Sequence, residues 1–229
     1  MDSDRNLQPL AVVSSNAAAI ISLQSHLVQK EVRGVLAGTK THSNIYIKQA
    51  LPILHLPSSR TDFVQQLMQE VHTQDLEVLG VYHSHPYDPP NPTDQDLIVH
   101  ALQQRTYSFL NISGIFSVYS KEVGIAGQLN LFVLDSNERI FSQLGYYPYY
   151  TLEKVTKKES LDQVTLERAK DLVKNMNSKS QKINLNEIWK NNLTYKDKIK
   201  AALGEIVGEP HQISYIVDLL DHEFLNNIV

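Results

Sequence analysis

The chain has 229 residues, 42% of them hydrophobic, and a formal net charge of −4 at neutral pH, enough apolar content for a real core, as one domain with an appendage or as two small domains. It has no cysteine, which excludes disulfides, cysteine-ligated zinc fingers and thiol nucleophiles together. No apolar run approaches the ~20 residues needed to span a bilayer. The opening Met-Asp-Ser-Asp-Arg is too acidic and polar for a signal peptide, so an intracellular location, cytoplasmic or nuclear, is expected.

Leu10–Ser14 reads as a strand. Asn16 is expected to cap a helix over Ala17–Gln29, in which Ile20, Leu23 and Leu27 recur near helical spacing. Val32–Ala37 and Asn44–Leu56 read as strands, with Pro52 confining the latter to an edge or a break. Thr61–Thr73 carries a helical pattern through Phe63, Val64, Leu67, Met68 and Val71. The apolar, β-branched run from Glu77 to Tyr82 reads as a buried strand that continues into His83-Ser84-His85. Residues two apart on a strand point to the same side, so His83 and His85 can converge on one ion. Pro86–Pro92 holds four prolines, which fix φ and remove backbone donors, and makes a stiff loop. Thr93-Asp-Gln-Asp96 then opens a helical pattern, which puts Asp96 in a first helical turn across that loop from the strand end; Thr93-x-x-Asp96 would also serve as a helix-capping pair with no catalytic meaning. Ile112–Tyr119 and Gln128–Leu134 read as strands parted by a turn at Val123–Gly127, with Arg139–Leu144 as a last short strand. The sum is a mixed α/β domain with one sheet and flanking helices over residues 1–150.

Gly145–Tyr150 holds four tyrosines around one proline and reads as an aromatic hinge packed on the core, the alternative being a docking surface. Residues 156–229 read as a C-terminal helical region with three amphipathic stripes. These are Leu161, Val164, Ala169, Leu172, Val173 and Met176; Ile188, Trp189, Leu193, Ile199 and Leu203; and Ile213, Ile216, Val217, Leu220 and Phe224. The stripes either pair with a helical partner or fold back on the first domain. Residues 151–200 carry 12 Lys+Arg against 7 Asp+Glu, but the charges are interleaved. Such a pattern is a solvated face rather than a dense basic patch, so nucleic-acid binding is not expected.

Two imidazoles and a carboxylate, with a fourth position left open, form the donor set of a catalytic zinc site. The run His83-Ser-His85-Pro86, then six residues, then Thr93-x-x-Asp96 resembles the JAMM motif of the MPN+ metalloproteases, whose pattern is His-x-His-Pro, six residues, Ser-x-x-Asp. Glu31-Val-Arg-Gly34-Val-Leu-Ala-Gly38 resembles the family's upstream Glu-x-x-Gly-x-x-x-Gly. Thr93 stands where the family usually has Ser; it keeps the hydroxyl and adds a methyl group. The Pro-Asn-Pro-Thr approach is more similar to the histone-deubiquitinase and prokaryotic branches than to the proteasome-lid branch.

The resemblance implies a three-layer MPN fold and Zn²⁺ held by His83, His85 and Asp96. It implies Glu31 as general base and Thr93 as a hydroxyl donor to the tetrahedral oxyanion. The implied substrates are ubiquitin or ubiquitin-like conjugates cleaved at the lysine isopeptide bond, with an MPN-type subunit as a partner for the C-terminal helices. The alternative within the family is a scaffold subunit that acts in assembly. Glu77 shares the strand and face of His83, but six positions at ~3.3 Å each put it about 20 Å away, too far to serve as the base. Ser84 points to the opposite face from the two histidines and reads as support. Gly34 and Gly38 suit either close backbone packing beside the site or an ordinary strand that needs no bulk there.

Overall fold

The computed structural model describes residues 10–28, 31–41, 44–53, 67–86, 88–107, 112–118, 127–134, 149–152, 154–177 and 193–226. The expected strand at Arg139–Leu144, most of the tyrosine hinge, the start of the Thr61–Thr73 helix and the Ile188-Trp189 part of the second stripe lie outside them. In chain order the elements are β1 (Leu10–Val13), α1 (Ser15–Leu27), β2 (Arg33–Lys40), β3 (Asn44–Ile53), β4 (Glu77–His85), α2 (Asp94–Thr106), β5 (Ile112–Ser117), β6 (Gln128–Leu134), β7 (Tyr149–Thr151), β8 (Lys154–Thr156), α3 (Gln163–Asn177), α4 (Leu193–Gly204) and α5 (Pro210–Asp221). A short π-helical turn, His222–Asn226, follows α5, and residues 67–72 are helical.

The eight strands form one mixed sheet in the order β7-β6-β5-β4-β2-β3-β1-β8. β4 is antiparallel to β2 and parallel to β5. The edge strands β7 and β8 are separated in sequence only by residues 152 and 153. Their joined ends therefore lie within about 11 Å, whereas eight strands laid flat would hold them about 34 Å apart. The sheet curls back on itself, and Lys154 of β8 reaches Asn130 of β6 at 3.5 Å.

α1 departs from the expected amphipathic pattern: Ser15 and every residue from Ala17 to Leu27 are buried. A helix buried all round needs cover on both sides. The sheet supplies one side, and α3 and α4 supply the other, with α5 packed on those two helices. Leu161, Leu172, Val173, Ile199, Leu203, Ile216, Leu220 and Phe224 join Ile20, Leu23, Leu27, Ile47 and Tyr82 in one hydrophobic cluster. Of the two expectations for the stripes, folding back is the one observed. Val164 is the departure within the first stripe, being 46% exposed. A smaller cluster on the other side of the sheet gathers Val35, Ala37, Leu51, Val71 and Leu76.

The cap of α1 is Ser14, whose side chain accepts from the Ala17 N–H, and not Asn16. Asn16 sits one position into the helix and instead ties it to the approach of α3, donating to Asp162 Oδ2 at 2.8 Å and accepting from the Asp162 N–H at 3.0 Å. Pro52 lies in β3 opposite Gly34. β1 covers β3 only from Asn44 to Ile47, so the outer flank of β3 is free of β1 at Pro52 and the missing N–H costs no rung there.

Candidate metal centre

β4 is built with two different faces. Tyr82 and Ser84 are buried, while Val81, His83 and His85 alternate with them and are only partly covered. The expected convergence of His83 and His85 is present: their Nε2 atoms stand 3.0 Å apart and their ring centroids 4.9 Å apart. Asp96 reaches them from the first turn of α2, with Oδ1 at 3.1 Å from His83 Nε2 and Oδ2 at 3.4 Å from His85 Nε2. The three side chains are 11–17% exposed. Their ligand atoms all lie within 4.8 Å of one another, a group that could hold one metal ion.

Thr93 is the N-cap of α2 and forms a capping box with Asp96. Its N–H and its hydroxyl each donate to Asp96 Oδ2 at 2.7 Å, and its Oγ1 accepts from the Asp96 N–H at 3.3 Å. The helix-capping geometry and the orientation of the carboxylate are thus the same set of bonds. The single hydroxyl proton of Thr93 is directed at Asp96 in this arrangement. Burial works against ionisation of Asp96, but hydrogen bonds from His83, His85 and Thr93 outweigh it and hold the carboxyl well below the usual carboxylate range. The hydrogen bond to Asp96 raises the pKa of His85; burial opposes that rise, and the Pro89 carbonyl adds to it.

Glu31 arrives by strand pairing, which sequence reasoning could not supply. Arg33 of β2 lies opposite His83. The Ser84 N–H donates to the Val32 carbonyl at 3.0 Å, and Ser84 Oγ accepts from the Val32 N–H at 3.0 Å. This carries the antiparallel register on, so that Glu31 falls across from His85, and directly opposed residues share a face. Glu31 lines one cleft of about 150 Å³ with Arg33, His83, Asp96, Val99 and His100. Its Oε1 accepts from Arg33 Nε at 2.8 Å. Ser84, expected as support, joins the two strands at this point. Gly34 is required by packing: a Cβ there would run into the Tyr82 ring. Tyr82 in turn donates to Gln24 Oε1 of α1 at 2.6 Å.

The loop after His85 is held from outside. Ser117 Oγ donates to the Asp88 carbonyl at 2.7 Å, and Asn130 Nδ2 donates to the Pro90 carbonyl at 3.2 Å. Sequence reasoning missed both residues. The available signal was a polar residue in an otherwise apolar strand pattern, Ile112-Ser-Gly-Ile-Phe-Ser117 and Leu129-Asn-Leu131.

A curled mixed sheet with a His-His-Asp group at one strand end agrees with the MPN-type domain that the motif resemblance implies. Residues 14–119, just under half of the chain, match the family model described as prokaryotic homologs of the JAB domain, which supports membership of the JAB/MPN family. Among curated proteins it is similar to a Homo sapiens MPN domain-containing protein, 31% identical over 96 residues that cover 39% of this chain and 20% of that protein. A Danio rerio MPN domain-containing protein is 26% identical over 235 aligned positions, covering 95% of this chain and 50% of that protein. The chain thus spans half the length of the zebrafish relative and a fifth of the human one. A Desulfitobacterium hafniense protein solved in solution is similar with a TM-score of 0.47 and 15% identity, over 68% of this chain and 97% of that one. Among the described residues no helix is long and apolar enough to cross a membrane.

Proposed function

We propose that this domain is a zinc-dependent isopeptidase acting on ubiquitin or ubiquitin-like conjugates, with His83, His85 and Asp96 as metal ligands and Glu31 as general base. The observation that carries this reading is the convergence of three side chains: His83 Nε2 stands 3.0 Å from His85 Nε2 and 3.1 Å from Asp96 Oδ1, and His85 Nε2 is 3.4 Å from Asp96 Oδ2. Ligand atoms about 2.0–2.1 Å from a tetrahedral zinc stand about 3.3–3.4 Å apart, so the donor set fits with a small opening. A zinc ion held there would supply a Lewis acid and lower the pKa of water toward ~7.

The protein side chains supply the rest. The Glu31 carboxylate, lining one cleft with His83 and Asp96, takes a proton from the attacking water and passes it to the leaving lysine amine. Arg33 fixes one carboxylate oxygen of Glu31. Thr93 holds Asp96, and its expected second task, donation to the oxyanion, requires its hydroxyl to turn from Asp96 toward the substrate.

Metal analysis of the purified chain should give about one equivalent of zinc, lost in Asp96→Asn and His83→Ala. Unchanged zinc in both variants rules out this ligand set. Glu31→Gln should keep the zinc and lower turnover at least ~10²-fold on a panel of linkage-defined diubiquitins and ubiquitin-like fusions. Loss of the metal in Glu31→Gln would make it a ligand instead. A scaffold role predicts no chelator-sensitive cleavage on any member of the panel. A partner MPN subunit, on this reading, meets the outer faces of α3 to α5, where Val164 and Tyr215 are exposed. Sedimentation of the chain with and without that partner tests this.

A further inference from the structure

Three consecutive carbonyls of the proline loop are each held by a different neighbouring strand. Asp88 O accepts from Ser117 on β5, Pro89 O lies 3.0 Å from His85 Nδ1 on β4, and Pro90 O accepts from Asn130 on β6. Pro89 and Pro90 have no N–H, so this stretch has little capacity to tie itself down. Within the loop, the Asn91 N–H also donates to Pro89 O at 2.8 Å. A carbonyl only accepts, so His85 Nδ1 is the donor in its bond to Pro89. That keeps a proton on Nδ1, so Nε2, which now bonds to Asp96, is the nitrogen that can give up its proton and face a metal at the position shared with His83 and Asp96. Metal-ligating histidines almost always donate their second ring N–H in this way, and such partners tune affinity.

The two flanking anchors are themselves well placed. Ser117 is 1% exposed and pairs with His85 across the β4–β5 ladder. The Asn130 amide is oriented by its other bonds: Oδ1 accepts from Gln128 Nε2 at 3.2 Å and from Lys154 Nζ at 3.5 Å, which leaves Nδ2 to face Pro90.

We propose that Ser117 and Asn130 are positioning residues of the metal centre: by clamping the carbonyls on either side of Pro89 they fix the acceptor that orients His85. The inference rests on the metal-centre reading above, since His85 must be a ligand for its orientation to matter. It adds two residues on β5 and β6 that touch neither metal nor substrate and act only through the loop.

The test is metal affinity of the full-length chain, stripped and titrated with Co²⁺ and Zn²⁺ against a competing chelator, with urea unfolding of the metal-free protein in parallel. Asn130→Asp keeps the side-chain shape and removes the donor to Pro90. Ser117→Ala removes the donor to Asp88, and Ser117→Thr restores it. We expect Asn130→Asp and Ser117→Ala each to weaken metal binding about 10–100-fold, to shift the visible Co²⁺ spectrum, and to leave the metal-free unfolding midpoint of Asn130→Asp where the parent has it. Ser117→Thr should recover most of the affinity. Parent-like affinity and spectrum in both variants would overturn the proposal, as would a loss seen only where the metal-free fold has itself melted. A parent chain that binds neither ion would instead sink the metal-centre reading, and this inference with it.

Discussion

On the α1 side of β4, Tyr82 and Ser84 are 1% and 0% exposed, and the surroundings are an apolar cluster that runs through α1 to the C-terminal helices. On the other side, His83 and His85 meet Asp96 among polar bonds, beside a cleft and a far smaller apolar cluster. The first face holds the strand in place by burial, which is non-directional and scales with area. The second holds side chains in place by hydrogen bonds, which are directional. One strand thus carries stability on one side and chemistry on the other, and the two are separable by experiment.

The largest expected effect comes from deleting everything after Thr156. α1 would then expose the side covered by Leu161, Leu172, Val173, Ile199 and Leu203, all at most 5% exposed in the intact chain. Five such side chains at ~1.5–3 kcal/mol each match the whole stability of a typical domain, about 5–15 kcal/mol. The truncated chain should therefore lose cooperative urea unfolding and its metal together. A soluble fragment that still unfolds cooperatively and binds metal would break the comparison, because the burial face would then be sufficient without its outer half.

Much of this arrangement was legible in the sequence. His83, His85 and Asp96 are close in the chain and joined by a stiff loop, so strand alternation and a helix start were enough to bring them together. The mixed sheet, β1 to β6 and the stripe residues Leu172, Ile199, Ile216 and Leu220 follow from local periodicity. What was not legible depends on long-range pairing. Glu31 is placed by the antiparallel register of β2 on β4, 52 residues away at the Val32–Ser84 contact. The burial of α1 on all sides depends on helices more than a hundred residues later, so its apolar stripe was read as one-sided. The cap of α1 moved from Asn16 to Ser14, with Asn16 engaged by Asp162; the capping pair of Thr93 and Asp96 was legible, but not that the Thr93 hydroxyl is directed at the carboxylate. Ser117 and Asn130 looked like ordinary strand positions until the loop carbonyls were seen above them.

Each face also carries a buried histidine, and acid should report on them separately. Burial is the first cause that lowers His26, on α1, with the nearby Lys198 adding to it and the Ser22 carbonyl opposing. Burial and then His83 lower His100, on α2, to about 4. A depressed histidine is charged first in the unfolded chain. Stability is therefore complete above about 6.5 and falls as the pH drops toward the folded value, with on the order of 3 kcal/mol lost for His100 by the time both states are charged. Unfolding free energies of metal-free His100→Asn and His26→Asn between pH 6.5 and 4.5 should each show a shallower acid slope than the parent. Identical slopes in all three proteins would mean that neither histidine is the acid-sensitive group.

The smallest expected effect probes the seam between the faces. Gly34 on β2 lies opposite Tyr82 on β4, and a Cβ at Gly34 would strike the Tyr82 ring. That ring cannot step aside, because it is buried and its hydroxyl is fixed on Gln24, whose Nε2 donates back to the Arg33 carbonyl at 3.3 Å. Gly34→Ala is thus an overpacking change of about 1–3 kcal/mol, measured by urea unfolding. It should also disturb the centre slightly, since Arg33 of β2 pairs with His83 one residue along and bonds to Glu31, which precedes the strand. If the ring is the cause, the cost should vanish in a Tyr82→Ala background, so that the double variant is more stable than the two single losses add up to. Strict additivity would mean that Gly34 is there for its backbone alone and that the two faces are not coupled at this point.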